Sequence, residues 1–123
     1  MEKKKIKSFT DLEAWQEAHK LVLMIYKYSE KFPRKEIFVL VSQMRRSAIS
    51  VSSNIAEGFS RSTVKDKCQF YTIALSSLIE LQNQLIVARD VGYLLKNDFM
   101  IIAKQTISVA KLINGLRKIR FTD

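Results

Sequence analysis

The chain has 123 residues, which suits a single domain with one hydrophobic core. Apolar residues make up 47% of the sequence and exclude a disordered chain, while three glycines and one proline are too few for the many turns of an all-β protein. The formal net charge of +9 favours an anionic partner, either nucleic acid or a membrane surface, although a generally basic surface would give the same count.

The single cysteine, Cys68, excludes an intrachain disulfide and is typical of a reducing compartment. The N-terminal residues are charged and lead into a polar segment, which is not the pattern of a signal peptide. No apolar run approaches the roughly 20 residues that a membrane-spanning helix needs. We therefore expect a cytoplasmic protein without a membrane partner.

Two amphipathic helices are predicted in the first half of the chain, after a flexible basic arm at residues 1–8. The first helix begins near Thr10, because Thr10 and Glu13 have the spacing of a capping box, and it ends before Pro33. The second helix covers residues 35–59, and Gly58 is a weak point or a stop in it.

Two further helices are predicted in the second half. The third covers residues 63–91, with Ser62 or Thr63 as its N-cap and Gly92 as its C-terminal glycine. The fourth covers residues 97–120, with Asn97 as its N-cap. Short connections favour antiparallel neighbours, so we expect an all-α, antiparallel up-down-up-down four-helix bundle as a single domain at residues 9–121.

The second and third helices each carry more apolar residues than one core-facing stripe requires. Single exposed apolar residues are ordinary, but stripes on two helices indicate a protein surface that another chain covers. We expect homo-oligomerisation, and the alternatives are a large pocket or a helix that is packed more deeply in the bundle. The predicted interface residues are Phe38, Ile49, Ala56, Leu75, Ile79 and Ile86.

Polar side chains recur at three- and four-residue steps along the second helix, across from Glu80 on the third. A buried charge without a partner is costly, so we expect a structural network in which Arg46 pairs with Glu80 or Glu57. The alternative is a stripe that faces RNA, with Arg45, Arg46 and Arg61 on phosphate and an amide on a base. The predicted stripe consists of Gln43, Arg46, Ser50, Asn54, Glu57 and Glu80.

The sequence offers little catalytic or metal-binding chemistry. The only histidine, His19, has Gln16 three residues before it, so the Glu-x-x-His motif of di-iron bundles is absent. One histidine and one cysteine cannot form a zinc site, and there is no glycine-rich phosphate loop and no nucleophile elbow. We expect a protein that is not an enzyme and that uses no metal and no cofactor.

Four segments resemble a known family. They are FTDLEAWQEAHKLVLMIY at residues 9–26, FPRKE at residues 32–36, QMRRSAISVSSNIAEGFSR at residues 43–61 and FYTIALSSLIELQNQL at residues 70–85. The family is the bacterial four-helix-bundle proteins encoded by 23S rRNA intervening sequences. The Arg-Arg and Asn-Ile-Ala-Glu-Gly elements are the most specific part of the resemblance, which covers residues 9–95. The fourth helix matches by length and pattern alone.

The resemblance implies an assembly that residue periodicity does not specify. It implies a homopentamer, and a similarity to the accessory protein of diversity-generating retroelements, a basic pentameric bundle that binds nucleic acid and a reverse transcriptase. It carries over no catalytic residue. The matching motif residues are Gln43, Arg45, Arg46, Ser50, Asn54, Ile55, Ala56, Glu57 and Gly58.

Two functions follow as hypotheses. The first is a homo-oligomeric bundle that binds RNA or DNA by neutralising phosphates. The second is an oligomeric scaffold or protein-interaction module without an intrinsic nucleic-acid function. For the first, the predicted contacts are Lys3, Lys4, Lys5, Arg45, Arg46, Arg61, Lys65, Lys67, Arg117, Lys118 and Arg120.

Overall fold

Every regular element of the computed structural model, which describes residues 5–118, is helical. A 3-10 turn at Phe9–Asp11 precedes the first helix. A second 3-10 turn at Arg34–Glu36 and a π-helical turn at Ile37–Val41 precede the second. The four α-helices are α1 at Glu13–Ser29, α2 at Ser42–Ser60, α3 at Val64–Asp90 and α4 at Lys96–Lys118.

The helices form a ring in which each contacts the next along the chain and α4 packs against α1. α2 and α3 run antiparallel, because Ser47 early in α2 bonds to Glu80 late in α3, whereas Gly58 late in α2 lies against Tyr71 early in α3. The predicted four-helix bundle is therefore confirmed.

α3 and α4 are antiparallel as well. The Sγ atom of Cys68 at the start of α3 lies 3.9 Å from the carbonyl oxygen of Arg117 at the end of α4. Gln82 further along α3 donates to Thr106 in the middle of α4 at 3.0 Å. Since each helix buries one apolar face, the four together enclose one core. Its largest buried side chains include Leu21, Ile25, Met44, Ile55, Leu78, Leu81, Leu85, Ile102 and Ile113.

The first helix begins later than predicted, and Thr10 does not cap it. Ser8 and Asp11 form the capping box instead, since the Asp11 carboxylate accepts from the Ser8 amide at 3.0 Å. This box closes the 3-10 turn, and α1 starts at Glu13 after Leu12, which has no side-chain acceptor to offer. The Thr10–Glu13 spacing is therefore not used as a capping box.

Of the two roles predicted for Gly58, a weak point or a stop, the stop is wrong, because α2 continues through it to Ser60. Gly58 is buried, and a Cβ atom there would lie 2.6 Å from Cε1 and 2.9 Å from Cδ1 of the Tyr71 ring. The glycine therefore permits the close approach of α2 and α3. The start of the predicted second helix also differs, since residues 34–41 are 3-10 and π-helical before α2 begins.

The ends of α3 agree with the prediction. The Thr63 hydroxyl accepts from the Asp66 amide at 3.1 Å, so Thr63 is the N-cap. Gly92 has a φ of 89°, and the amides of Gly92 and Tyr93 bond to the carbonyls of Arg89 and Ala88, which closes the helix as a Schellman motif. α4 begins at Lys96, so Asn97 lies within that helix and is not its N-cap.

Candidate nucleic-acid interface

Five of the predicted basic residues lie at one end of the bundle, where α2 ends, α3 begins and α4 ends. The Cys68–Arg117 contact joins the start of α3 to the end of α4, and Lys67 Nζ lies 2.7 Å from the carbonyl oxygen of Phe59 at the end of α2. We call this cluster the basic end. It consists of Arg61, Lys65, Lys67, Arg117 and Lys118.

Two cations of the basic end take part in the fold. Lys67 donates to the carbonyls of Phe59 and Gly58, where its charge also complements the negative end of the α2 dipole. Arg61 lies 3.8 Å from the Glu57 carboxylate and 4.6 Å from the Phe70 ring centroid. The charges of these two side chains are partly compensated within the chain.

The other cations of the basic end are more available. The side chains of Lys65 and Lys118 are exposed and form no hydrogen bond or ion pair with any residue among 5–118. Arg117 is half-buried and donates to Asn114 Oδ1 at 3.4 Å. Lys5 is exposed on the segment before α1, whereas the predicted contacts Lys3, Lys4 and Arg120 lie outside the described residues.

Arg45 and Arg46 lie apart from the basic end, because Arg46 is 15 residues, or about 22 Å of helix, before Arg61. Arg45 connects α2 to α1. Its Nε donates to Ser29 Oγ at 3.1 Å, and its guanidinium carbon lies 4.4 Å from the Tyr26 ring centroid. Arg46 is exposed and takes no part in this contact. The structure therefore divides the predicted basic residues into two separate groups.

Two residues of the predicted polar stripe, Ser50 and Asn54, lie in a serine-rich seam between α2 and α3. Ser50 Oγ and Ser77 Oγ lie 2.8 Å apart, and Asn54 Nδ2 donates to the Ser50 carbonyl at 2.8 Å. Ser47 Oγ donates to Glu80 at 3.3 Å. This part of the stripe lies at the helix–helix contact, whereas Gln43, Arg46, Glu57 and Glu80 are exposed. Ser47 and Ser77 were missed, although Ser47 lies three residues before Ser50 and shares its spacing.

The expected pairing of Arg46 with Glu80 or Glu57 is wrong. Glu57 lies nearest Arg61, Glu80 accepts from Ser47, and Arg46 forms no ion pair with a described residue. Arg46 and Glu80 are exposed, so water solvates both charges and little free energy favours a direct pair. The expectation assumed a buried seam, which these two residues do not occupy.

The predicted apolar interface residues differ in exposure. Phe38 is 92% exposed and Ile79 is 65% exposed, and both Ile49 and Ile86 are also exposed. Ala56 and Leu75 are half-buried. On α3 the exposed stripe borders a mostly apolar groove of about 240 Å³ whose α4 side is formed by Phe99, Ala103, Thr106 and Ile107. Ile107, 52% exposed, was not predicted, because the sequence indicated extra apolar residues only on the second and third helices.

Two tyrosines have altered acidity. Tyr93 Oη donates to Glu36 Oε2 at 2.9 Å, and this hydrogen bond, with a smaller effect of burial, raises the pKa of Tyr93. Burial raises the pKa of Tyr71, and nearby Cys68 raises it further. The Tyr93 contact lies at the end of the bundle opposite the basic end, where it joins the α3–α4 connection to the turn before α2.

Within residues 5–118, no three or more His, Cys, Asp or Glu side chains converge closely enough to hold a metal ion. His19 stacks on Trp15 with ring centroids 4.8 Å apart, and the Cys68 thiol is buried. None of the helices in the described part of the chain has the length and apolarity to cross a membrane.

Comparison with known proteins gives a family and a fold. The family model described as 23S rRNA-intervening sequence protein matches residues 10–115. A crystal structure of a protein of unknown function from the S23 ribosomal protein family of Bacteroides thetaiotaomicron has a TM-score of 0.78 at 21% identity, covering 85% of this chain and 95% of the other. No curated protein matches the chain.

Proposed function

This chain belongs to the 23S rRNA-intervening sequence protein family, and we propose that it is a non-enzymatic, homo-oligomeric bundle that binds RNA or another nucleic acid through basic surface residues. The observation that carries the proposal is the basic end. Cations from three separate helix termini meet there, and Lys65 and Lys118 form no bond with the described part of the chain. A phosphate backbone supplies the negative charge that such a cluster lacks.

The proposed mechanism is phosphate neutralisation. Lys65 and Lys118 are exposed ammonium groups, which suit contacts to phosphates without a fixed orientation. Arg61 would exchange its long contact with the exposed Glu57 for a phosphate oxygen, since an ion pair in water contributes little stability. Counterion release would then make the affinity fall steeply as salt rises.

Assembly is the second part of the proposal. Exposed apolar side chains lie on two different sides of the bundle, Ile49 on α2 and Ile79 and Ile86 on α3, with the polar seam between them, and the proposed contact leaves Phe38 uncovered. Two different faces that meet head to tail form a closed ring when the rotation between subunits permits it. A homopentamer, which the family resemblance implies, is one such ring. In it, equivalent basic ends would lie on the same face and act together on one nucleic acid.

An oligomeric scaffold is the alternative function. The apolar groove between α3 and α4 favours it, because its lining residues Ile86 and Ile107 are 42% and 52% exposed. A partner helix, including one from a reverse transcriptase, would bury these side chains without using the basic end. Under this function, loss of the lysines would leave partner binding unchanged.

The test compares two double variants that lose the same charge. Lys65→Gln/Lys118→Gln removes the free cations of the basic end, whereas Lys31→Gln/Lys104→Gln removes exposed cations elsewhere. Fluorescence anisotropy measures the affinity for a structured ribosomal RNA fragment and for duplex DNA over a range of salt concentrations. We expect the first variant to reduce the magnitude of the slope of log binding constant against log salt concentration by about two, since each lysine–phosphate contact contributes about one.

The outcomes separate the two functions. Binding that persists at physiological salt and weakens mainly in Lys65→Gln/Lys118→Gln supports the basic end as the nucleic-acid site. Equal losses in both variants mean that the net charge of +9 acts generically. Binding confined to low salt, and equal for RNA and DNA, contradicts the nucleic-acid function and favours the scaffold.

A further inference from the structure

An open, mostly polar pocket of about 390 Å³ lies between α2 and α3, at the half of the bundle away from the basic end. Its lining residues are Phe38, Ser42, Gln43, Arg46 and Glu80. Phe38 forms one wall and is 92% exposed, so both faces of its ring meet solvent. The π-helical turn Ile37–Val41 carries Phe38, and such turns occur often at functional sites. We call this the Phe38 pocket.

The polar groups around the Phe38 pocket are largely without partners. The side chains of Arg46 and Gln43 are exposed and form no hydrogen bond with any residue that the structure describes. Glu80 receives one long hydrogen bond, from Ser47 at 3.3 Å, which leaves most of its acceptor capacity unused. One turn further along α3, Gln84 is 6% exposed and its buried Oε1 has no donor.

These groups have the chemistry of a site for a nucleobase. A flat aromatic side chain in solvent offers a stacking surface for a base. The Glu80 carboxylate accepts two parallel hydrogen bonds, and guanine is the base whose Watson–Crick edge presents two adjacent N–H donors. The same edges of adenine, cytosine and uracil each present acceptors that a carboxylate repels. Arg46 supplies a cation for the phosphate or for the guanine acceptors O6 and N7.

A second copy of the chain is a poorer occupant. The apolar groove of α3 and α4 could cover Phe38, but it offers Arg46 and Glu80 no groups of opposite charge. Burying those two charges without partners is costly. A nucleotide satisfies both at once, because it carries an anion, N–H donors and an aromatic face.

We propose that the Phe38 pocket binds an unpaired guanine nucleotide of a single-stranded nucleic acid, with Phe38 stacking on the base, Glu80 accepting from its Watson–Crick edge and Arg46 contacting its acceptors or phosphate. The proposal rests on the proposed nucleic-acid function and adds a base preference to it. Charge at the basic end provides affinity without reading sequence, whereas the Phe38 pocket reads one base.

The test uses the full chain and labelled nine-nucleotide RNAs that differ only at the central base of a uridine strand. The central base is guanine, adenine, inosine or uracil, and fluorescence anisotropy gives the affinity. We expect guanine to bind about ten-fold more tightly than adenine, because a good bidentate contact discriminates by roughly that factor. Inosine, which lacks the exocyclic amine, should bind with intermediate affinity.

Two variants and one matched control localise the effect. Glu80→Gln should abolish the preference for guanine. Phe38→Leu should weaken the binding of all four RNAs, because each loses the stacking surface for its central base. Glu13→Gln removes an exposed carboxylate on α1, far along the chain from the pocket, and should leave the preference unchanged. Circular dichroism verifies that each variant is folded.

The outcomes also separate this proposal from the broader one. Tight RNA binding with equal affinity for guanine and adenine overturns the guanine site and leaves the basic end as the sole determinant. Absence of RNA binding at physiological salt overturns both. If Phe38→Leu changes the oligomeric state in analytical ultracentrifugation while the guanine preference persists, Phe38 belongs to a subunit contact and the proposed pocket is wrong.

Discussion

Gly58 of α2 lies directly against the ring of Tyr71 of α3, and a Cβ atom at position 58 would lie 2.6 Å from Cε1 of that ring. Tyr71 is 5% exposed, so the ring has little room to move away. Gly58→Ala should therefore destabilise the fold by about 1–3 kcal/mol, although alanine is the better helix former by about 1 kcal/mol. Urea denaturation measures the change.

Gly115→Ala is the matched control for that prediction. Gly115 also lies within a helix, but nothing lies within 4 Å of an added Cβ atom there. The same substitution should stabilise the protein by about 0.5–1 kcal/mol. A stabilised Gly58→Ala variant would show that α2 and α3 separate at little cost.

The two adjacent arginines should behave differently. Arg45→Gln removes the contact with Ser29 and the stacking on Tyr26, so we expect it to lower the free energy of unfolding by about 1–2 kcal/mol. Arg46→Gln removes no bond to the described residues and should be neutral in stability within about 0.5 kcal/mol. Thermal denaturation of both variants tests this. Equal destabilisation would mean that Arg46 has a structural partner in the assembled protein.

Stability should decrease at high pH partly through Tyr93. The hydrogen bond to Glu36 raises the pKa of Tyr93, so the folded state favours the neutral phenol. This stabilisation is fully present below the unfolded-state pKa of about 10 and is lost as the pH rises through the higher folded-state pKa.

The stability difference between wild type and Tyr93→Phe should therefore be present at about pH 8 and shrink above about pH 10. Urea midpoints at both pH values measure it. Tyr28→Phe serves as the control, because the Tyr28 hydroxyl bonds to no residue in the described range. A difference that stays constant with pH would contradict the assigned role of the Tyr93 hydroxyl.

Ile79→Asp should dissociate the proposed oligomer while leaving each subunit folded. Ile79 is 65% exposed in the single chain, so the new carboxylate is hydrated there, but it would be buried and unpaired at an interface. Sedimentation velocity should show a smaller species with unchanged helical content. Leu23→Asp on α1, at a position 56% exposed, is the control and should keep the wild-type mass. A fully assembled Ile79→Asp variant would remove the α3 stripe from the interface.

Helical periodicity predicted the bundle and the exposure of Phe38 and Ile79, because solvent exposure depends on which side of a helix a residue occupies. It did not predict the role of Gly58. Helix propensity gives only the cost of a glycine within a helix. Gly58 is needed because the aromatic ring of Tyr71 on the next helix leaves no room for a side chain. The π-helical turn before α2 was missed for a similar reason, since its period differs from the 3.6 residues on which the pattern depends.

Side-chain pairing was less predictable than helix position. Two overlapping capping-box patterns occur near the N-terminus, and the local sequence does not say that Ser8 and Asp11 form the box while Thr10 and Glu13 do not. Periodicity indicated that Arg46 pairs with Glu80, and the two residues line the same pocket, but the hydrogen bond to Glu80 comes from Ser47. The placement of Lys65 and Lys118 at the same end depends on the register of α3 against α4, which the predicted antiparallel course does not specify and the Cys68–Arg117 contact establishes.

The length of α2 has a consequence for the size of ligand that the bundle recognises. The helix is continuous from Ser42 to Ser60, so it holds Arg46 and Arg61 about 22 Å apart in a fixed orientation. A mononucleotide can occupy one end of this span but not both. A flexible strand that reaches from the Phe38 pocket to the basic end gains from the high effective concentration of its second contact. Fragments too short to reach both sites should therefore bind much more weakly than longer ones. The length of α2 sets the minimum strand length for tight binding.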